Sequence, residues 1–164
     1  DSLSNELKGL KTFATLSPVP GFRTWLDEAL AADEAGLLRA NEHEAIKEVA
    51  PTGLRGLLGM PGWIDDPGCA AAACDPLLRL CAYYLTEEKS SSGTALNSVA
   101  HFHLFNGARI EKLNWRADLS ERGIDQSAGI MVNFLYELDQ IDANHEAYSG
   151  SGEVCMSAAV GGLL

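Results

Sequence analysis

The spacing of apolar residues near the start of the chain predicts a strand followed by a helix. Leu10–Leu16 is short and rich in residues that strands accept, and Pro18 and Pro20 lack the backbone donors that continue a ladder. The next apolar residues recur at helical spacing: Phe22, Trp25, Leu26 and Leu30. Ser17 is therefore expected at the exit of a strand, where sheets of the α/β type often present reactive groups.

The middle of the chain is predicted from its helix breakers and caps. Asp33–Ala50 is acidic and favours a helix, whereas the glycines and prolines of Pro51–Cys74 favour loops and short turns. Asp75 is a good N-cap and Pro76 suits a first helical position, so a helix is expected to begin there. Glu87–Gly93 is polar and predicts a solvated loop.

Further elements are predicted towards the end of the chain. Asn97 is a suitable cap for a short helix over Ser98–Phe105, which Asn106 and Gly107 end. Four more segments follow from periodicity and composition: a strand over Ala108–Trp115, a turn-rich connection over Asp118–Asp125, a strand over Gly129–Leu138 and an Ala-rich helix over Glu153–Leu164. Strands and helices in this mixture predict an α+β domain.

Composition narrows the classes of partner. The chain has 164 residues, 46% of them apolar and 21% charged, which suits one ordinary globular domain. Its net charge of -11 opposes nonspecific binding to nucleic acid or anionic membrane, and no apolar run approaches the length of a membrane span. A small polyanion is still compatible if cations gather locally, and the candidate cations are Lys8, Lys11, Arg23, Arg109 and Arg116.

The four cysteines do not indicate a metal site. Cys69, Cys74, Cys81 and Cys155 match no standard zinc spacing, and no histidine falls at a suitable interval. Cys81 lies in an apolar helical segment and is expected to be a small core residue. Reduced, structural thiols in a cytoplasmic protein are the expectation.

Two histidines lie close together on the predicted helix that Asn97 caps. His101 and His103 are about 200° apart around a helix axis, because each residue turns by about 100°. His103 shares its stripe with Val99, Phe102 and Asn106 and should point inward, whereas His101 should point towards solvent or a partner. A core histidine with satisfied hydrogen bonds is the alternative interpretation of His103. Ser17 alone is an ordinary turn residue, and no G-x-S-x-G elbow surrounds it.

Several spaced motifs together resemble the catalytic region of malonyl-CoA decarboxylases. They occur in the family's order and cover most of the chain, with Asp33–Cys74 as the divergent part: Leu16–Phe22 (LSPVPGF), Pro76–Ala82, Ala95–Asn97, Phe102–Ala108 (FHLFNGA), Ile110–Asp118, Arg122–Ile124 and Gly129–Tyr136. The resemblance implies an acetyltransferase-like (GNAT) mixed sheet flanked by helices. It also implies that Ser17 and His103 are catalytic, and that Ser17 and Tyr136 contact the substrate.

The resemblance further implies that residues 1–164 are the C-terminal part of a catalytic domain. The family's glutamate and pyrophosphate loop lie upstream of its serine motif, and a helical N-terminal domain supports oligomers. Neither is found in this sequence, so a partial domain with an exposed sheet edge is expected, together with a homo-oligomeric full-length protein.

The implied reaction is decarboxylation of malonyl-CoA to acetyl-CoA and carbon dioxide. No metal or other cofactor is expected, because the coenzyme A thioester is itself the substrate and the electron sink. Nucleic acid and membrane are not expected partners. Two alternatives stay open: an acyl-CoA-dependent N-acyltransferase, since the implied fold commonly transfers acyl groups to amines, and a non-catalytic remnant that binds acyl-CoA or a partner.

Overall fold

The computed structural model describes residues 11–164 as helices packed around a small antiparallel sheet. The strands are β1 (Thr12–Pro18), β2 (Arg109–Asn114) and β3 (Met131–Glu137). The helices are α1 (Phe22–Leu37), α2 (Ala40–Val49), α3 (Leu54–Leu58), α4 (Pro67–Thr86), α5 (Ser98–Phe105), α6 (Glu121–Ser127), α7 (Ile141–Ser151) and α8 (Ala158–Gly161), with a 3₁₀ turn at Trp63–Asp65. The predicted α+β class is confirmed.

The sheet has the order β1-β3-β2, and its register fixes which side chains share a face. Along the β1–β3 pair, Phe13 lies opposite Tyr136 and Ser17 lies opposite Val132. Every second residue of β3 is buried, as expected for a strand with one face on the core. Both strand pairs are antiparallel, and parallel pairing within residues 11–164 is limited to an isolated bridge between Ile110 and Met156.

The first strand continues further than the prolines suggested. It includes Ser17 and Pro18, so Ser17 lies within β1 and not at its exit. Within residues 11–164, β1 is hydrogen-bonded on one side only, and edge strands accept a proline that a central strand would exclude. Gly21, with φ of 84°, then turns the chain into α1.

Helix α4 is central to the core and begins earlier than predicted. Asp66 caps it by accepting a hydrogen bond from the Cys69 amide, and Pro67 occupies the first turn. The prediction of a helix start at Pro76 is therefore wrong: Pro76 lies inside α4, after an Ala-rich first half with strong helix propensity. Cys81 is fully buried, which confirms it as a core residue.

Other boundaries also differ from the predictions. Two helices, α1 and α2, occupy the acidic segment that was expected to form one. The breaker-rich segment 51–74 contains α3, the 3₁₀ turn and the start of α4, because Gly53, Gly59 and Gly62 flank short helices whose apolar residues enter the core. Segment 118–125 leads into α6, and the C-terminal helix is reduced to α8. No helix within residues 11–164 has both the length and the apolar character needed to cross a membrane.

Candidate active site

Ser17, His103 and Tyr136 are brought together from β1, α5 and β3. The Ser17 hydroxyl lies 3.4 Å from His103 Nε2, and the Tyr136 hydroxyl lies 2.6 Å from His103 Nδ1. All three side chains are buried. The imidazole therefore has a hydroxyl on each nitrogen, in a row that runs from one strand of the sheet through a helix to the neighbouring strand.

Asn97 joins the two motifs that supply the serine and the histidine. Its side-chain oxygen accepts a hydrogen bond from the Ala100 amide at 2.9 Å, which caps α5. Its side-chain amide donates to the Pro20 carbonyl at 2.7 Å, in the turn after β1. The cap was predicted from sequence, but this second bond was not, because its partner is 77 residues away. Asn97 thus fixes the start of α5 against the strand that carries Ser17.

Aromatic rings surround the histidine. His103 stacks on Phe134, with ring centroids 4.4 Å apart, and Phe102 meets it edge-on at 5.1 Å. Burial lowers the pKa of His103 and raises the pKa of Tyr136 to about 12. The imidazole is therefore neutral and the phenol protonated at neutral pH.

Larger cavities of about 610 Å³ and 370 Å³ lie elsewhere on the described residues, and a further cavity has both His103 and Tyr136 in its wall. Its volume is about 340 Å³, and its lining consists of Phe13, Thr15, Phe102, His103, Asn106 and Tyr136. Phe13 stacks on Tyr136, with centroids 4.6 Å apart and planes 4° from parallel. Sequence reasoning missed Phe13 and Thr15, although they precede Ser17 by four and two residues and so share its strand face.

The second histidine of α5 faces away from this cavity. His101 Nδ1 lies 2.7 Å from the Tyr148 hydroxyl, which also accepts a hydrogen bond from the Ala95 amide at 2.9 Å. His101 is partly exposed, whereas His103 is buried. The prediction that His103 points inward is confirmed, but Phe102 and Asn106, which were expected on the same inward stripe, are exposed.

The candidate cations do not gather at the cavity. Lys8 lies outside the described residues, and Lys11 is exposed. The three arginines have protein partners: Arg23 contacts Asp27, Arg109 contacts Glu111 and Glu137, and Arg116 contacts Asp65 and donates to the Ile64 carbonyl. The described part of the chain contains no group of three or more metal-binding side chains, and its four cysteines are free.

The described residues thus form an α+β domain in which a buried row of serine, histidine and tyrosine lies on a helix-flanked antiparallel sheet. The chain belongs to the malonyl-CoA decarboxylase family, since all of residues 1–164 match the model of the malonyl-CoA decarboxylase C-terminal domain. The sequence resemblance is thereby confirmed.

Individual relatives agree with this assignment. The chain is 39% identical to a malonyl-CoA decarboxylase of Anser anser anser and 40% identical to that of Rattus norvegicus, with 96% and 99% of this chain and 33% and 35% of those proteins covered. The crystal structure of malonyl-CoA decarboxylase from Rhodopseudomonas palustris has a TM-score of 0.83 and 40% identity, over 99% of this chain and 35% of that one. The chain therefore spans about a third of the length of the relatives that it matches.

The expectation of a cytoplasmic protein is contradicted by these comparisons. The relatives from Anser anser anser, Rattus norvegicus and Mus musculus are all named as mitochondrial. Composition and reduced cysteines were a poor guide to the cellular compartment, because neither a reducing environment nor an acidic surface distinguishes one compartment from another. Targeting segments, which do carry that information, lie apart from the folded domain.

Proposed function

We propose that the protein carrying this chain is a carboxy-lyase that converts malonyl-CoA to acetyl-CoA and carbon dioxide, with Ser17, His103 and Tyr136 in its active site. The observation that carries the proposal is the row of hydrogen-bonded groups, of which His103 and Tyr136 lie in the wall of an aromatic cavity. The family membership of the whole chain supports it. In this proposal residues 1–164 form part of the catalytic domain of a homo-oligomeric enzyme.

The hydrogen bonds favour one placement of the protons. If Tyr136 donates to His103 Nδ1, then Nε2 carries the imidazole proton and faces Ser17. The reverse placement leaves the Tyr136 proton without an acceptor among the described residues, and a buried unpaired donor costs about 1–3 kcal/mol. We therefore infer that His103 presents an N–H to Ser17 and the cavity, and that the Ser17 hydroxyl is available to donate to substrate.

The chemistry of the reaction suits these groups. When the bond between the α-carbon and the carboxylate breaks, its electron pair moves onto the α-carbon and the thioester oxygen. A hydrogen-bond donor on that developing oxyanion contributes about 3–4 kcal/mol to transition-state stabilisation. Aromatic walls favour departure of neutral carbon dioxide over retention of a charged carboxylate. The thioester accepts the electron pair, so the reaction needs no added electron-sink cofactor.

Protonation of the α-carbon completes the reaction. His103 Nε2–H supplies the proton, either directly or through the Ser17 hydroxyl, whose oxygen is 3.4 Å away. That distance is at the long end of the range for a hydrogen bond, and such contacts shorten in substrate complexes. Tyr136 replaces the lost proton at Nδ1 across the 2.6 Å contact. The carbon gains one proton, and the site is restored when a solvent proton reaches Nε2 and Nδ1 returns its proton to the phenolate.

The test is product analysis with the protein expressed from its complete natural reading frame. Malonyl-CoA should give acetyl-CoA and carbon dioxide in equal amounts. Ser17→Ala should lower kcat by about 100-fold or more, because a positioned proton-transfer or oxyanion group contributes that much. Ser149→Ala is the matched control, since Ser149 is exposed on α7. Release of free coenzyme A with an acylated acceptor would overturn the reaction, and an unchanged kcat in Ser17→Ala would remove Ser17 from it.

A further inference from the structure

Thr15 is a polar residue in the wall of the cavity, but it takes no part in the row of Ser17, His103 and Tyr136. It lies on β1 two residues before Ser17, opposite Phe134 and on the same face of the sheet. Its side chain lines the cavity with His103 and Tyr136. Its hydroxyl oxygen is buried and has no hydrogen-bond partner within residues 11–164. An unpaired buried hydroxyl destabilises a fold, so its retention beside an active-site histidine calls for an explanation.

The rest of the lining limits what this hydroxyl can bind. Beside the acid–base groups, the described wall consists mainly of aromatic rings, with Asn106 at the edge and no lysine or arginine. A ligand that accepts a hydrogen bond there would reach the Thr15 hydroxyl after at most one rotation about χ1, which exchanges its methyl and hydroxyl positions. The Thr15 hydroxyl is thus a neutral donor in mostly apolar surroundings that no other described group engages.

This arrangement fits the free carboxylate of a malonyl group. Thr15 and Ser17 lie about 6.6–6.8 Å apart along one strand face. A malonyl thioester has its carbonyl and its carboxylate on either side of a single methylene, so with its carboxylate at Thr15 its carbonyl can face the His103 end of the Ser17–His103 pair, which shares the cavity wall with Thr15. An arginine would hold the carboxylate as an anion and oppose its loss, whereas one hydroxyl orients the group with less stabilisation of its charge.

We propose that Thr15 determines specificity for the carboxylated acyl group by donating a hydrogen bond to the malonyl carboxylate. This proposal rests on the proposed function of the Ser17–His103–Tyr136 row. Once carbon dioxide has left, Thr15 has lost its ligand, so it discriminates substrate from product. Acetyl-CoA, which lacks the carboxylate, gains nothing from Thr15.

Thr15→Val removes the hydroxyl and keeps the shape of the side chain, and Thr15→Ser keeps a hydroxyl. In the complete protein, Thr15→Val should raise the KM for malonyl-CoA about 10-fold or more, because a hydrogen bond to a charged group is lost. The inhibition constant of acetyl-CoA should change less than about 2-fold, and Thr15→Ser should stay near wild type. Thr15→Val should also raise the Tm of the ligand-free protein, because an unpaired buried hydroxyl is gone. Thr12→Val, on the exposed face of β1, is the control.

An unchanged KM for malonyl-CoA in Thr15→Val would overturn the proposal, and so would an equal weakening of malonyl-CoA and acetyl-CoA. If Thr15→Val does not fold, Thr15→Ala is measured against the same criteria. A wild-type protein without decarboxylase activity would refute the proposed function alone. The Kd values of malonyl-CoA and acetyl-CoA for wild type and Thr15→Val would then test Thr15 by the same criteria, without turnover.

Discussion

The hydrogen bond from Tyr136 to His103 provides the sharpest test of how the site works. Tyr136→Phe removes one hydroxyl 2.6 Å from Nδ1 and retains the ring that stacks on Phe13 at 4.6 Å. The substitution leaves Nδ1 buried without a partner, at a cost of about 1–3 kcal/mol. If this cost falls entirely on the reactive tautomer, which has its proton on Nε2, kcat falls by about 5- to 150-fold, since each 1.36 kcal/mol is a factor of ten.

The assay combines steady-state kinetics with the chemical shifts of the His103 ring nitrogens. We expect Tyr136→Phe to lower kcat with little change in KM, because Tyr136 acts through His103, whose tautomer it fixes and whose lost proton it replaces. In ¹⁵N-labelled protein, the His103 ring nitrogens should shift from a single tautomer with the proton on Nε2 towards a mixture. Tyr83→Phe, at a partly exposed phenol, is the control. Wild-type kcat together with unchanged ring nitrogen shifts in Tyr136→Phe would refute the reasoning.

Four further outcomes are expected. Gly107→Ala should lower the free energy of unfolding by about 2 kcal/mol or more in urea melts, because Gly107 has φ of 91° and an added Cβ would lie 2.5 Å from the Ile141 carbonyl oxygen. Arg79→Met should cost about 3 kcal/mol in the same melts, because it leaves the buried Glu42 carboxylate without its cation. Burial lowers the folded-state pKa of His103, so the protonated form is disfavoured on folding. The contribution of neutral His103 to the free energy of unfolding should therefore be fully present above the unfolded-state pKa of about 6.5 and be lost as the pH falls below it. In His103→Gln, the free energy of unfolding should lack this pH-dependent loss. In native protein, a thiol reagent should modify the partly exposed Cys74 and Cys155 before the buried Cys81, whose pKa burial raises.

Each of these outcomes has a clear contrary result. Gly107→Ala or Arg79→Met melting at the wild-type urea concentration would contradict the packing and charge arguments. Parallel pH profiles of stability for wild type and His103→Gln would contradict the lowered pKa of His103. Labelling of Cys81 at the rate of the other two thiols would show that α4 opens readily in the native protein.

The amino-acid sequence predicted the elements that carry local signals. Asn97 and Gly107 marked the ends of α5 because capping and left-handed backbone depend on residue type, and both ends lie where they were expected. The helical phase of α5 placed His103 inward correctly but also predicted Phe102 and Asn106 on the inward stripe, whereas they are exposed. The start of α4 was mistaken because Asp66–Pro67 and Asp75–Pro76 carry the same cap pattern, and only packing of the first half of the helix distinguishes them.

The site itself was only partly predictable. Ser17 and His103 were found through the family resemblance, and Tyr136 was expected to contact substrate. That Tyr136 hydrogen-bonds His103 depends on the β1–β3 register and on the packing of α5 over β3, neither of which a local pattern specifies. Thr15 and Phe13 follow from strand alternation once Ser17 is known to lie inside β1. Because the strand was predicted to end before Ser17, the sequence did not indicate that Phe13 and Thr15 share a strand face with Ser17.

In the proposed reaction, His103 supplies the proton for decarboxylation of malonyl-CoA. The most direct measurement is kcat for acetyl-CoA formation by the complete protein carrying His103→Asn, beside His101→Asn on the other face of the same helix. A loss of about 100-fold or more is expected for His103→Asn, with near wild-type turnover for His101→Asn. Wild-type turnover by a folded His103→Asn protein would contradict the account.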